Sequence, residues 1–134
     1  AAGAALYRRD PQGPVVMLNL LKFRDVADYA RAPQLAPERP ISGAEAFDRY
    51  IAHTLPFLTG SGGELLFLGQ GGPWLIGPEA ERWDCAMLVR QASLHSFMAF
   101  ESHGPYLAGI GHRTAAIADS RLLPLTQSMR ASTR

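Results

Sequence analysis

The chain has 134 residues but only one cysteine, Cys85, and no apolar run long enough to span a bilayer. A single thiol can neither close a disulfide within the chain nor supply a multi-thiolate metal site. Residues 1–13 lack the apolar core of a signal peptide. Together these absences favour a reducing compartment, and we expect a cytoplasmic location.

Neither sign of charge dominates, since 13 Lys and Arg stand against 12 Asp and Glu. No basic run with interleaved aromatic residues appears, so nucleic acid is not an expected partner. No two of the four histidines have the i, i+4 spacing with an acid that marks a zinc helix. The glycines at 69–72 lack the Lys-Ser/Thr of a phosphate loop. We therefore predict no metal, no cofactor and no membrane partner.

The most informative stretch is Val15–Phe23, an almost unbroken apolar run with one polar residue, Asn19. Its length favours a strand, and apolar residues on both faces predict a central strand covered on both sides. The odd-numbered residues share the face of Asn19, and the even-numbered ones take the other. The periodicity leaves open which face meets the helices.

The remaining pattern predicts three further strands. Residues 64–76 form a strand with a bulge or bend at the glycines, residues 77–81 a hairpin loop, and residues 82–90 a second central strand. Residues 119–126 form the last strand, which Pro124 confines to an edge or a strand end.

Helices are predicted between these strands. Ser42 and Glu45 form a capping box for the first. Pro56 should kink this helix or end its regular part near Leu55, and the glycine-rich residues 60–63 then stop it. Ser93 caps a short second helix. Residues 105–117 predict a further helix, whose shared face carries Tyr106, Ile110, Arg113 and Ile117.

This order of elements is the βαββαβ pattern of an α+β, ferredoxin-like domain with an antiparallel sheet. We predict one such domain at 14–126, an N-terminal tail at 1–13 and a C-terminal tail at 127–134. The Pro-rich segment 24–41 is either a lid or binding loop, or a surface excursion.

Both helices of such a domain cover the same face of the sheet, so the other face, which is also apolar, is left bare. A bare apolar face of this size is too large for a monomer. A second copy on a two-fold axis is the economical partner. We therefore predict a homodimer through the sheet face, which makes a dimeric α/β barrel.

Five short motifs carry a resemblance to a known group: VMLNLLKF at 16–23, Trp83-Asp84, HGPY at 103–106, His112-Arg113 and DSRLLP at 119–124. With them the chain resembles small uncharacterised bacterial proteins of the dimeric α/β-barrel superfamily. Distant relatives there include antibiotic-biosynthesis monooxygenases and other cofactor-free enzymes. The resemblance spans residues 14–125 and implies a cavity between sheet and helices, without implying a reaction.

Three residues are candidate ligand contacts. Asn19 in a central strand needs hydrogen-bond partners, either water and a neighbouring strand or a ligand oxygen in a cavity. Arg113 needs a carboxylate, either from a ligand or from Asp84 or Asp119. Tyr106 can donate a hydrogen bond at a cavity wall, or it is an amphipathic ring at the rim of the core.

His103, in the loop before Pro105, is the predicted general acid or base, with Tyr106 as the other proton-moving group. Trp83 and Asp84, which open the third strand, complete the predicted substrate-binding set. We hypothesise a cofactor-independent oxygenase, isomerase or dehydratase that binds a small organic molecule in an apolar cavity. The alternative is a non-catalytic dimeric binding or structural module. Convergence of polar groups on one open cavity would favour the enzyme.

Overall fold

The computed structural model describes residue 5 and residues 13–126, so the predicted tails lie almost entirely outside the described residues. The described part confirms the predicted α+β order of elements. It comprises β1 (Val15–Phe23), α1 (Gly43–Gly60), β2 (Glu64–Pro73), β3 (Arg82–Gln91), α2 (Leu94–Glu101), α3 (Gly104–Leu107), α4 (Ile110–Ala116) and β4 (Ile117–Thr126), with a 3₁₀ turn at Pro33–Leu35.

The sheet is antiparallel with the strand order β2-β3-β1-β4, so β1 and β3 are central as the apolar runs predict. Residues paired across antiparallel strands lie on the same face. One row that crosses all four strands is Leu68, Met87, Asn19 and Leu122, and a row on the other face is Phe67, Leu88, Leu18 and Leu123.

The side of the sheet that carries Asn19 is the side that the helices cover. Val15 and Leu21 are fully buried there, and both pack with residues from the helices. The even-numbered residues of β1 are only half-buried or exposed. The sequence periodicity leaves open which face of β1 meets the helices. The burial of the odd-numbered residues shows that it is their face.

Helix α1 begins with the predicted capping box, in which Ser42 Oγ accepts a hydrogen bond from the backbone N–H of Glu45 at 3.0 Å. The helix continues through Pro56 and ends at Gly60, where residues 60–63 are predicted to stop it. Pro56 lacks the N–H that would bond the carbonyl of Ala52. Both residues are exposed, so water can reach that carbonyl and the helix continues.

Two predicted boundaries are wrong. Strand β2 stops at Pro73, and residues 74–76 belong to the hairpin loop, where Leu75 is 99% exposed and Ile76 is 91% exposed. The helix predicted at 105–117 is two short helices, and Ile117 already belongs to β4.

The break between α3 and α4 falls at Gly109, which packs against the ring of His53 in α1. A Cβ at Gly109 would overlap that ring, so only glycine permits this approach. His53 Nε2 lies 2.7 Å from the carbonyl oxygen of Pro105. His53 is half-buried.

The segment 24–41 is fastened to α4. The Asp28 N–H donates to the carbonyl of Ala115 at 2.9 Å, and the Tyr29 hydroxyl lies 2.8 Å from His112 Nδ1. Ala32 is buried between the excursion and α4, where it lies close to Gly111. Among the helices of the described residues, none is long and apolar enough to cross a membrane.

Candidate functional site

A cavity of about 410 Å³ lies between the helix-covered face of the sheet and the helices. Its floor comes from β1, β3 and β4, and its roof from all four helices. The lining residues are Met17, Asn19, Tyr50, Met87, Val89, Gln91, Phe97, Phe100, Glu101, Tyr106, Ile110, Arg113, Ser120 and Leu122. Three of the predicted ligand contacts, Asn19, Tyr106 and Arg113, therefore line one cavity of ligand size.

Asn19 is 9% exposed, and its row on the floor otherwise holds apolar side chains. Its Nδ2 donates to the carbonyl of Met17, in the same strand, at 3.3 Å. Within residues 13–126 its Oδ1 accepts no hydrogen bond. Asn19 Oδ1 can therefore accept a hydrogen bond from a bound molecule.

Gln91 is a second carboxamide in the cavity lining, at the last position of β3, and it is 1% exposed. Its Oε1 is buried and has no hydrogen-bond partner within the described residues. Sequence reasoning does not select Gln91, because a polar residue at the end of a strand usually faces water.

Tyr50 of α1 and Tyr106 of α3 form a hydroxyl pair at 2.9 Å, and both are more than nine-tenths buried. Burial raises the pKa of both phenols, and for Tyr106 the neighbouring Tyr50 raises it further. Both hydroxyls therefore stay protonated at neutral pH. One hydrogen is used between them, and the second remains available to a ligand oxygen.

Arg113 of α4 and Glu101 of α2 are the charged residues of the lining. Neither predicted ion pair of Arg113 forms, since Asp119 binds Arg121 at 2.7 Å and Asp84 Oδ2 accepts the Phe23 N–H at 2.9 Å. No carboxylate of residues 13–126 forms an ion pair with Arg113. Partial burial raises the pKa of Glu101, and the charge of Arg113 opposes that shift.

The other predicted site residues lie elsewhere. His103 lines a separate recess of about 350 Å³ beside Phe57. Trp83 lies beneath the guanidinium of Arg121, 5.0 Å from ring centroid to Cζ, in another surface recess. Asp84 lines a third recess. None of the four histidines, all of which are described, lines the cavity.

The recess that contains Asp84 is larger than this cavity, at about 550 Å³, and it lies between α1 and the edge of the sheet. We favour the smaller cavity as the site because no buried, unpartnered polar atom of the described residues lines the larger recess. Cys85 forms part of its floor. Burial raises the pKa of the Cys85 thiol, with Asp48 and Asp84 adding to the shift, so the nucleophilic thiolate is disfavoured.

Among residues 5 and 13–126, no group of three or more His, Cys, Asp or Glu side chains is placed to hold a metal ion. The cavity instead combines neutral hydrogen-bonding groups with one cation and one carboxyl. Such a lining can hold a carbonyl or phenolic oxygen and exchange a proton with it.

The order of strands and the single helical layer define a ferredoxin-like α+β domain. Two crystal structures of the RPA0582 protein of Rhodopseudomonas palustris, described as a protein of unknown function, match with a TM-score of 0.79 each. They are 33% and 32% identical to the chain, and the matches cover 93% of this chain and 89% and 91% of theirs. The chain belongs to the same family as the RPA0582 protein.

More distant solved structures share the fold. A dimeric protein of unknown function and ferredoxin-like fold from Bacteroides fragilis matches at a TM-score of 0.53 and 12% identity, over 87% of this chain and 98% of that one. A protein assigned as an antibiotic biosynthesis monooxygenase from Caulobacter crescentus matches with a TM-score of 0.51 and 14% identity. That match covers 92% of this chain and 98% of the other. The resemblance to this superfamily is confirmed at the level of the fold. No family model matches the chain, and no curated protein sequence does.

Proposed function

We propose that the protein binds a small organic molecule in the cavity between sheet and helices, with Asn19, Tyr106 and Arg113 as ligand contacts. The observation that carries this proposal is that Asn19, Tyr106 and Arg113 line one cavity of ligand size, and that Arg113 has no ion-pair partner among the described residues. Satisfied core residues would have partners within the protein. The apolar remainder of the lining, with two methionines and two phenylalanines, suits a flat carbon skeleton.

A ligand screen tests the binding proposal. Small phenols, quinones, keto acids and aromatic ketones are tested by thermal shift and calorimetry against wild type, Asn19→Ala and Gln70→Ala. Gln70 is the matched control because it is an exposed carboxamide that lines the larger recess. Ligands of the cavity lose affinity in Asn19→Ala alone. Loss in Gln70→Ala alone would move the site to the larger recess and contradict the proposal.

The cavity also carries the groups for cofactor-independent proton transfer. Glu101 takes a proton from the carbon beside a ligand carbonyl, and the electron pair moves onto the carbonyl oxygen. Arg113 and the free hydroxyl hydrogen of the tyrosine pair hold the resulting enolate oxygen. Such a step opens isomerisations, eliminations and oxygenations of carbonyl compounds. Glu101 supports this role because partial desolvation raises its pKa toward neutrality.

Solvent exchange tests the chemistry separately from binding. A bound aromatic methyl ketone in D₂O should exchange its methyl protons faster with wild type than in buffer, as followed by proton NMR. Glu101→Gln should still bind the ketone and lose the exchange. His103→Ala is the control and should retain it, because His103 lies outside the cavity. Binding without exchange in wild type would favour the non-catalytic module, a reading supported by the absence of histidine from the described lining.

We further propose that the protein is a homodimer through the sheet face away from the helices. The row of Phe67, Leu88, Leu18 and Leu123 crosses that face, and Phe67 and Leu123 are 56% and 53% exposed. Four strands of this length present about 20 by 30 Å, on the order of 600 Å². A stable interface uses about 800 Å² of each partner, so this face can supply most of it.

Sedimentation velocity tests the dimer. Leu18→Glu places an unpaired charge at the centre of the face, and it should convert the protein to a monomer at micromolar concentration. Leu75→Glu is the control, because Leu75 is 99% exposed on the hairpin loop and a charge there remains solvated. A wild-type protein that sediments as a monomer would refute the proposal.

A further inference from the structure

We propose that the ligand of the cavity is an oxo acid with one carboxylate and an apolar body, and that its carboxylate pairs with Arg113. This inference rests on the proposed binding of a small molecule in the cavity. It adds the chemical class and the charge of the ligand, and the residue that recognises the charge.

The first argument is the unpaired guanidinium of Arg113. The side chain lines the cavity and is half-buried, so a molecule in the cavity can reach it. Within residues 13–126 the only ion pair is that of Asp119 with Arg121, so no carboxylate of this range is paired with Arg113. A guanidinium is a rigid fork of N–H donors that fits the two oxygens of a carboxylate. A ligand carboxylate therefore finds a cation in the lining that no described carboxylate occupies.

The second argument is the side of the molecule on which the charge of Arg113 acts. Burial raises the pKa of three groups of the lining, and the positive charge of Arg113 opposes the rise in each of them. These groups are Tyr50, Glu101 and Tyr106. An electrostatic effect weakens with distance, so the guanidinium lies near all three groups. The charge of Arg113 is therefore on the cavity side, where a bound anion meets it.

The third argument is the charge and polarity of the remaining lining. Glu101 is the only other charged residue among those that line the cavity, and it is exposed, so solvent screens its repulsion of a bound anion. A ligand with a second carboxylate would find no second cation in this lining, and an unpaired charge against apolar side chains is unfavourable. Apolar side chains make up most of the rest: Met17, Met87, Val89, Phe97, Phe100, Ile110 and Leu122. The lining therefore suits one carboxylate on an apolar body.

The volume and the proposed chemistry narrow the class further. A cavity of about 150 Å³ accepts one benzene molecule. The present cavity holds about 410 Å³, which is enough for one ring with a chain of several atoms. In the proposed proton transfer Arg113 also holds the enolate oxygen. The carbonyl therefore belongs on the carbon next to the carboxylate, where one guanidinium fork can contact both groups, as in a 2-oxo acid.

Two ligands that differ at one group test the inference by calorimetry. They are 2-oxo-4-phenylbutanoate and 4-phenyl-2-butanone, in which a methyl group replaces the carboxylate. With wild type, the oxo acid should bind at least about tenfold more tightly than the ketone, because its carboxylate forms charge-assisted hydrogen bonds with the guanidinium. Equal affinity of wild type for the two ligands would overturn the inference.

Arg113→Met is the deciding variant, since methionine keeps the apolar stem and removes the charge. It should lose the preference for the acid, whereas Arg113→Lys, which keeps the charge without the fork, should retain part of it. Arg49→Met is the matched control and should retain all of it. Arg49 is an exposed arginine of α1 outside the lining, and its charge acts on Tyr29 and His112.

The outcomes separate this inference from the proposed function. A preference for the acid that survives in Arg113→Met would overturn the inference. Binding of the ketone that Asn19→Ala weakens would still support the proposed function in that case. If neither ligand binds to wild type, the inference is contradicted, and the broader ligand screen decides the proposed function by itself.

Discussion

Replacing Gln91 by leucine should make the ligand-free protein more stable. The side chain is 1% exposed and its Oε1 has no hydrogen-bond partner among the described residues. A buried, unsatisfied polar group costs about 1–3 kcal/mol of folding free energy. Leucine removes that cost and introduces a shape mismatch of less than about 1.5 kcal/mol. The expected net gain is about 1 kcal/mol, which raises the melting temperature by roughly 3–5 °C for a domain of this size.

Urea unfolding at one fixed protein concentration measures this change, because a dimer would make stability depend on concentration. Gln70→Leu is the matched control. Gln70 is exposed on the edge strand β2, so the same substitution there should change stability by less than about 0.5 kcal/mol. A loss of more than about 1 kcal/mol in Gln91→Leu would refute the reasoning, because it would mean that a hydrogen bond satisfies the amide in the ligand-free protein.

Three further predictions concern the framework around the cavity. Gly109→Ala should lower the free energy of unfolding by about 1–3 kcal/mol, because the added Cβ overlaps the ring of His53. In a His53→Ala background the same substitution should have little effect on urea unfolding. Equal losses in both backgrounds would contradict the contact. Burial, with the charges of Arg49 and His53, lowers the pKa of His112, so the unfolded chain takes up the proton first. Stability should therefore fall as the pH drops below about 6.5, and His112→Asn, compared with wild type in urea titrations at pH 7.5 and 5.5, should reduce that fall. Ser42→Ala should lower the free energy of unfolding by about 1 kcal/mol in the same assay, because it removes the hydroxyl that accepts the Glu45 N–H at the start of α1. No change would argue against the cap.

The architecture was predictable from local signals because its central strands and its caps are encoded locally. Val15–Phe23 is apolar on both faces, a pattern that predicts a central strand. The capping box at Ser42 likewise needs nothing beyond the residues that form it. Both signals depend on neighbours in sequence, and the structure confirms the elements they predict.

The boundaries that failed depend on distant contacts. Gly109, where the helix predicted at 105–117 breaks, packs against the ring of His53, which is more than fifty residues away. Arg113 and Tyr106 nevertheless line one cavity, because α3 and α4 continue in sequence along the same side of the sheet. The prediction that Tyr106 and Arg113 lie on one side is therefore correct, although the helix on which it was based is two helices.

The candidate site shows the same division. Asn19 was detectable because a polar residue interrupts an apolar strand. Gln91, Tyr50 and Glu101 were not selected, since a strand end, an apolar helix stripe and a helix C-terminus give no signal of a shared cavity. His103 was chosen for its titration range, which carries no information about the direction in which a loop side chain points.

The alternation of β1 has a consequence for the kinds of sequence change that the strand can tolerate. Its odd positions line the core and the cavity, and its even positions lie on the face proposed for dimerisation. A point substitution therefore alters one compartment at a time. A one-residue insertion or deletion before Asn19 would instead turn that amide outward and bring a leucine into the cavity, while the apolar row on the other face would lose its register. We expect β1 to accept conservative replacements and to reject changes of length, even though its residues are chemically simple.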